Sequence, residues 1–178
     1  MNRLNSSAVS GVCLVAPGGR MGTAASALAD LTGWRLMPAW EGDPQASLQA
    51  LSAEAPDWLQ PLAIDPAQPL GAVECWAELL GAWRQPTCLL CSEEDRAAGL
   101  ARSHWALLRH YRVPLVGMIQ WGGDWRPAER RAEGLPWLGH LPSAPAAPDA
   151  LAELRQCLIT ASAVAAAAPP APASMPLH

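Results

Sequence analysis

The alternation of short apolar segments with helix-compatible segments is the feature that most constrains the fold of this chain. An apolar run at 11–16 is followed by a glycine turn and by an alanine-rich segment at 22–31 that ends at Gly33. Further apolar runs lie at 87–91 and 113–120, with a helix-compatible segment between them. Strands that alternate with helices form parallel sheets, because each helix carries the chain back to the end of the sheet where the strand started. The sequence therefore predicts an α/β fold: a single three-layer domain with a short, mostly parallel sheet.

Shorter signals predict the other elements. Short apolar segments lie at 34–37, 62–64 and 135–141. Helix-compatible segments lie at 47–53, 72–83, 100–111 and 124–133. The helix at 72–83 has an apolar stripe at intervals of three and four residues, which indicates a face packed in the core. The stripe consists of Val73, Trp76, Leu79, Leu80 and Trp83.

Composition divides the chain into four parts. An N-terminal arm at 1–10 precedes the α/β domain at 11–142. An alanine-rich helix at 143–168 then precedes a Pro/Ala tail at 169–178, which we expect to be disordered. The arm lacks the charged and apolar regions of a signal peptide, and no apolar run has the roughly 20 residues that span a bilayer. We therefore expect a cytoplasmic protein without a membrane partner.

The chain has no lysine, because the 12 residues counted as Lys or Arg are all arginines. This excludes Schiff-base chemistry, lysine general bases and the lysine with which a P-loop holds the phosphates of a nucleotide. The formal net charge is -4 and the arginines are scattered, so the basic surface of a nucleic-acid binder is missing. The 5 cysteines are an odd number, and we expect them to be reduced and mostly buried, without disulfides.

A glycine-rich loop joins the first predicted strand to the first predicted helix, where a P-loop would hold phosphate with backbone N–H groups. The candidate phosphate-binding or nucleotide-binding residues are Gly18, Gly19, Arg20, Gly22 and Thr23. The Lys-Ser/Thr end of a P-loop is replaced by Thr23-Ala24, which removes an ammonium group and the hydroxyl that binds Mg²⁺. Three interpretations stay open: a structural turn, a weak site for an anion or nucleotide, and a working NTPase loop.

Three stretches within about residues 11–142 carry a resemblance to a known family. The first is the loop followed by GWRLMPAWEGD at 33–43, similar to a family strand of the form W-K-P-V-Q-S-G. The second is a helix with His104 followed by VPLVGMI at 113–119, similar to a G-x-I-N-H helix and a G-I-P-V-x-G-V-V-x-N strand. The third is LPWLGHLP at 135–142, similar to L-P-V-L-G-x-I-P. In order and spacing they resemble the dethiobiotin synthetase family, of the P-loop ATPase class that includes the cobyrinate amidases and MinD-like proteins.

The resemblance implies a P-loop NTPase-like fold, a homodimer, and a reaction of biotin biosynthesis that closes the ureido ring of dethiobiotin on a diamine with Mg-ATP and CO₂. It also implies where functional residues fall, and most of these positions lack the expected group. The P-loop lysine falls on Thr23, the hydroxyl residue after it on Ala24, and the lysine of the next strand on Met37. The asparagine near the nucleotide falls on Trp121, and the family's glycine-flanked acid most nearly meets Asp65. The resemblance is therefore to a shortened, degenerate member of the family.

Six residues outside the loop are candidates to line the site. They are Met37, Trp40, Asp65, Ser92, His104 and Trp121. His104 takes the place of the histidine on the family's helix, and Ser92 ends a predicted parallel strand, where α/β proteins place ligands. Met37, Trp40 and Trp121 would replace a cationic pocket with a drier, aromatic surface.

No metal site is predicted from the cysteines and histidines. Cys88 and Cys91 are three apart in a predicted strand and would point to opposite faces. His104 and His110 are six apart on a predicted helix and would point to different sides. The cofactors that the resemblance implies are ATP and Mg²⁺, and we expect the chain to bind them weakly.

Three functions are compatible with these observations. The first is a dethiobiotin synthetase-like protein with a degenerate loop and no efficient ATP chemistry, which could still bind a nucleotide or another anion. The second is an active ATP-dependent dethiobiotin synthetase in which arginine replaces lysine, since arginine can also hold phosphate. The third is a non-enzymatic interaction module that presents some of its 9 tryptophans to a protein partner.

Overall fold

Six strands form one sheet in the computed structural model, which describes residues 11–40, 43–71, 75–144 and 148–167. The strands are β1 (Val12–Val15), β2 (Arg35–Leu36), β3 (Trp58–Pro61), β4 (Thr87–Cys91), β5 (Leu115–Trp121) and β6 (Trp137–Leu141). Their order in the sheet is β2-β3-β1-β4-β5-β6, and every pairing is parallel. The predicted α/β fold is therefore confirmed, with a sheet that is parallel throughout.

Helices cover both faces of the sheet. The helices of the described residues are α1 (Ala24–Thr32), α2 (Pro44–Ser52), α3 (Trp76–Ala82), α4 (Glu93–Ala97), α5 (Leu100–His110), α6 (Pro127–Ala132) and α7 (Pro148–Ala167). α1 and α7 contact each other, and α7 packs on β5 and β6. α3 contacts both α2 and α5, and α5 packs on β4. Since the crossovers of a parallel sheet are right-handed, the reversal of direction after β2 places these two groups on opposite faces.

The two central strands are the most deeply buried part of the sheet. Every residue of β1 and of β4 is buried. β4 coincides residue for residue with the run TCLLC at 87–91. The run does not alternate between apolar and polar residues, as a strand with one solvent-facing side would. The carboxyl ends of these strands are therefore held by residues packed in the core.

Gln60 explains why β3 lies before the apolar run at 62–64 and not within it. The strand Trp58–Pro61 has a polar residue at its third position, and that residue is buried. The Gln60 side-chain Nε2 donates hydrogen bonds to the carbonyl oxygens of Pro38 (2.6 Å) and Pro61 (3.0 Å). A buried amide with its donors satisfied is compatible with an inner strand.

The predicted core face of the helix at 72–83 is correct in its centre and wrong at its end. Trp76, Leu79 and Leu80 are buried on α3, whereas Trp83 follows the last helical residue and is 44% exposed. Val73 lies outside the described residues. Four other tryptophans are buried: Trp34, Trp40, Trp58 and Trp76. Much of the aromatic content therefore serves the core.

The cysteines lie mostly in the core. None of the 5 forms a disulfide in the described part of the chain, and all except the partly exposed Cys157 are buried. Burial raises the pKa of the Cys88 thiol to about 12 and that of Cys13 well above its ordinary value, because a thiolate is poorly solvated in the core. These thiols are therefore weak nucleophiles in the folded protein.

α7 is an apolar helix that packs one of its sides against the sheet. An 18-residue window within its 20 residues has a mean hydropathy of 1.2, and it is the one helix of the described residues that is long and apolar enough to cross a membrane. Leu154 and Leu158 are buried on the side that packs against β5 and β6. Val164, in contrast, is 67% exposed. The N-terminal arm at 1–10 and the tail at 169–178 lie outside the described residues.

Candidate functional site

A cleft of about 910 Å³ lies at the carboxyl ends of β1, β4 and β5. This is the edge where parallel α/β sheets place their ligands. Five of the predicted site residues line the cleft: Gly19, Arg20, Gly22, Ser92 and Trp121. The loop after β1, the start of α4 and the end of β5 supply them, so three separate segments meet where the sequence places a site.

The glycine loop forms a tight turn that packs against the protein itself. Its first residues, Pro17–Gly19, form a single 3₁₀ turn in which the Gly19 N–H donates to the carbonyl of Ala16 (2.9 Å). Gly19 has φ +68, and a Cβ added there would stand 2.4 Å from the carbonyl oxygen of Ala63. A side chain does not fit at this distance from backbone atoms. The structure therefore requires glycine at position 19 for packing.

Asp65 binds the loop from the segment after β3. Its Oδ2 accepts a hydrogen bond from the Gly18 N–H (2.6 Å), and its Oδ1 accepts one from the Ala67 N–H (2.8 Å). Partial burial raises the pKa of Asp65, but the hydrogen bonds from Ala67, Gly18 and His104 outweigh this effect, and the net pKa lies below its usual value. The Asp65 carboxylate therefore accepts a hydrogen bond from a loop N–H group that would donate to phosphate in a P-loop.

His104 extends the same contact to α5. Its Nε2 lies 3.0 Å from Asp65 Oδ1, and its Nδ1 lies 3.0 Å from the carbonyl oxygen of Leu100. Both partners can only accept hydrogen bonds, so both bonds form together when the ring carries two N–H groups. The side chain is buried. Gly18, Asp65 and His104 thus join the loop, the segment after β3 and α5 in one chain of hydrogen bonds.

Replacing Asp65 with Asn is expected to lower the free energy of unfolding by about 2 kcal/mol at pH 7, because hydrogen bonds to an ionised group are replaced by weaker ones. The folded-state pKa of Asp65 is depressed, so its contribution is complete above the unfolded-state value of about 3.9 and is lost as pH falls through the folded-state value. Urea unfolding at pH 7, 5, 4 and 3 measures the difference between the two proteins, which should shrink below pH 4.

Asp30→Asn provides the matched control for this prediction, because Asp30 is an exposed acid on α1. We expect Asp30→Asn to change stability by less than about 0.5 kcal/mol. A loss in Asp65→Asn that stays constant from pH 7 to pH 3 would contradict the role given to the carboxylate.

Acidic side chains outnumber basic ones in the lining of the cleft. Its lining has one arginine, Arg20, against the three acids Glu93, Glu94 and Asp95 at the start of α4. The Arg20 side chain is 75% exposed, and its Nη2 lies 4.0 Å from Asp95 Oδ1. A hydrogen bond from Arg96 lowers the pKa of Glu93 and keeps that carboxyl ionised. Arg96 and Arg130 pair with Glu93, and Arg20 lies near Asp95, so the cleft offers a polyphosphate one exposed guanidinium and no surplus of positive charge.

Ser92 has a structural role at the start of α4. Its hydroxyl donates to Asp95 Oδ2 (2.8 Å) and accepts from the Asp95 N–H (3.1 Å), while Asp95 Oδ2 accepts from the Ser92 N–H (2.9 Å). These bonds form a capping box, which satisfies N–H groups that the helix leaves free. The hydroxyl of Ser92 is therefore committed to the helix end.

Trp121 covers the loop at the end of β5. A Cβ added to Gly22 would lie 3.1 Å from the Cη2 atom of Trp121, so the indole ring lies directly over this glycine. The Trp121 Nε1 atom is buried and has no hydrogen-bond partner in the described residues. Of the three residues that were predicted to form an aromatic surface, Trp121 lines the cleft.

The other predicted site residues lie elsewhere or take no part in the cleft. Thr23 precedes α1 and makes no side-chain capping bond. Met37 and Trp40 follow β2 and are not among the residues that line the cleft. Trp40 stacks on Trp76 with ring centroids 5.2 Å apart. Within the described ranges, no group of three or more His, Cys, Asp or Glu side chains could hold a metal ion.

A charged network that was not predicted from the sequence borders the cleft. Arg130 on α6 is only 2% exposed, and its guanidinium donates to Gln120 Oε1 (2.8 Å), Glu93 Oε2 (2.8 Å) and Glu133 Oε1 (3.2 Å). Arg96 donates to Glu133 as well (3.0 Å). The spacing of Arg130 and Glu133 on one helix is the signal that could have indicated a pair.

No protein-family profile matches the sequence, and a comparison with curated proteins finds no significantly similar one.

Proposed function

We propose that the chain is a dethiobiotin synthetase-like protein without efficient ATP chemistry, in which the glycine loop acts as a structural junction. The hydrogen bond from the Gly18 N–H to Asp65 Oδ2, at 2.6 Å, is the observation that carries this proposal. An anion-binding donor of the loop is satisfied from within the chain, so a nucleotide would have to displace a carboxylate that is already hydrogen-bonded to Ala67 and His104.

The side chains of the cleft do not fit a magnesium nucleotide. The positions of the P-loop lysine and of the following hydroxyl residue are Thr23 and Ala24, and the lysine of the next strand is Met37. A charged group aimed at developing negative charge is worth roughly 3 to 4 kcal/mol in the transition state, a factor of about 10² to 10³ in rate. The loss of two lysines therefore supports a protein that turns over ATP very slowly or not at all.

Calorimetric titration with ATP, ADP and phosphate at low salt, with and without Mg²⁺, tests the proposal. We expect no saturable binding of nucleotide below millimolar concentration. We also expect no dethiobiotin from the diamine, bicarbonate and Mg-ATP under conditions where an active synthetase gives product. Micromolar, Mg²⁺-dependent binding of ATP would contradict the proposal.

An active synthetase with arginine in place of lysine is the second candidate, and the position of Arg20 favours it. The guanidinium is exposed in the cleft, and a Cβ added to Gly18 would lie 3.2 Å from its Nη1, so the charge stands over the loop. Arginine can hold phosphate through two hydrogen bonds. The Arg20→Ala variant separates the two candidates: it should abolish any dethiobiotin formation if the enzyme is active, and change nothing otherwise.

A further inference from the structure

A second cavity of about 690 Å³ lies between β6, α6 and the first turns of α7. It shares no lining residue with the cleft at the glycine loop. Its volume lies within the range of small-molecule sites, roughly 300 to 1,000 Å³. The walls are mostly apolar, and the aromatic ones are Trp125, Trp137 and His140. Nothing in the proposed function uses this cavity.

The aromatic walls are fixed in place. The Trp125 ring lies parallel to the His140 ring, with centroids 5.8 Å apart and an angle of 3° between the planes. Trp137 meets Trp125 edge to face at 6.4 Å, and its Nε1 donates to Glu133 Oε2 (2.9 Å). The Arg130 guanidinium carbon stands 5.8 Å from the centroids of both indole rings. Such preorganised aromatic faces favour a planar ligand, because little side-chain freedom is lost on binding.

Two charged side chains of opposite sign line the cavity and remain available to a ligand. The charge of Arg130 is balanced by Glu93 and Glu133. Arg131 and Glu153, in contrast, are exposed and have no ion-pair partner among the described residues. A ligand that carries both a carboxylate and an ammonium group can pair with each of them.

We propose that this cavity binds a planar aromatic zwitterion of the size of a free aromatic amino acid. The ring stacks on Trp125 and meets Trp137 edge to face, as the 77° angle between the two indole planes requires. The carboxylate pairs with Arg131, and the ammonium group pairs with Glu153. A neutral aromatic compound lacks both ion pairs, and an aromatic acid or an aromatic amine lacks one of them. The charge dependence of binding therefore identifies the ligand class.

Four fluorinated probes test the proposal by ligand-observed ¹⁹F NMR: 5-fluorotryptophan, 5-fluoroindole-3-propionate, 5-fluorotryptamine and 5-fluoroindole. We expect 5-fluorotryptophan to bind with the lowest Kd. Since exposed ion pairs are weak, each missing charge should raise the Kd by about two- to fivefold. Loss of a stacking wall in Trp125→Ala should raise the Kd of all four probes by about tenfold.

Variants of the two charged residues separate their roles. Arg131→Ala should raise the Kd of 5-fluorotryptophan about two- to fivefold and leave the Kd of 5-fluorotryptamine unchanged. Glu153→Gln should raise the Kd of 5-fluorotryptophan and leave the Kd of 5-fluoroindole-3-propionate unchanged. Arg155→Ala, an exposed arginine of α7 outside the cavity lining, is the matched control and should have no effect.

Three outcomes would overturn the proposal. They are the absence of saturable binding for all four probes, equal Kd values for all four, and a propionate or tryptamine that binds as tightly as 5-fluorotryptophan. Circular dichroism of each variant shows whether a loss of binding comes from a loss of fold. If Trp125→Ala unfolds, Trp125→Leu replaces it, because leucine fills space without an aromatic face.

Discussion

Arg130→Met is expected to lower the free energy of unfolding by about 3 kcal/mol, because it removes one member of a buried network and leaves the other members without their counter-charge. Glu93, Glu133 and Gln120 each accept a hydrogen bond from the Arg130 guanidinium. Arg96 still pairs with both glutamates, which limits the loss. Urea unfolding at pH 7 measures the change, and thermal unfolding should show a lower Tm by about 6 to 12 °C.

The neighbouring residue is the matched control for this substitution. Arg131 lies on the same helix but is exposed, so Arg131→Met should change stability by less than about 0.5 kcal/mol. Adding Glu133→Gln to Arg130→Met should recover part of the loss, because the excess negative charge is then removed and Arg96 keeps Glu93 as its partner. Equal stability of the Arg130 and Arg131 variants would show that the network contributes little.

Gly19→Ala is expected to destabilise the protein by about 3 kcal/mol. A left-handed conformation costs a residue with a Cβ about 1 kcal/mol. The Cβ would also stand 2.4 Å from the Ala63 oxygen and 2.7 Å from the Ile64 nitrogen, and backbone atoms can move apart only by shifting the loop, at a cost of about 1 to 3 kcal/mol. Urea unfolding again gives the free energy.

Gly33→Ala measures the conformational part of this effect without the packing part. Gly33 has φ +75, close to the value at Gly19, but a Cβ there has nothing within 4 Å. We therefore expect Gly33→Ala to cost about 1 kcal/mol, the conformational share alone. If the two variants are equally stable, the loop does not pack against residues 63–64 as described, and its N–H groups are freer for an anion than proposed.

The sequence predicts the fold well where burial is uniform and poorly where a polar residue is buried. β4 is predicted to the residue because Pro86 precedes an unbroken apolar run and Ser92 follows it. β3 is misplaced because Gln60 and Pro61 resemble strand breakers, although Gln60 is buried with its donors satisfied. Hydrophobic patterns do not show which polar side chains find partners in the fold.

The sequence predicts where several residues of the cleft lie, but it predicts few of their hydrogen bonds and ion pairs. The motifs place Arg20, Ser92 and Trp121 at one edge of the sheet, and the structure brings them together. The hydrogen bonds of Asp65 with Gly18 and His104 could not be predicted, because they join positions 47 and 39 residues apart. The ion pair of Arg130 with Glu93 was not predicted for the same reason, because the two residues are 37 positions apart in the chain.

The central place of β1 in the sheet sets an order on folding during synthesis. Its two neighbours, β3 and β4, are made after it, and neither pairing can form before those residues leave the ribosome. α7 must then return to α1 before that face of the sheet is closed. Until β3 or β4 pairs with it, the apolar strand Val12–Val15 has both edges open. We therefore expect the unfinished chain to be most prone to aggregation in this interval.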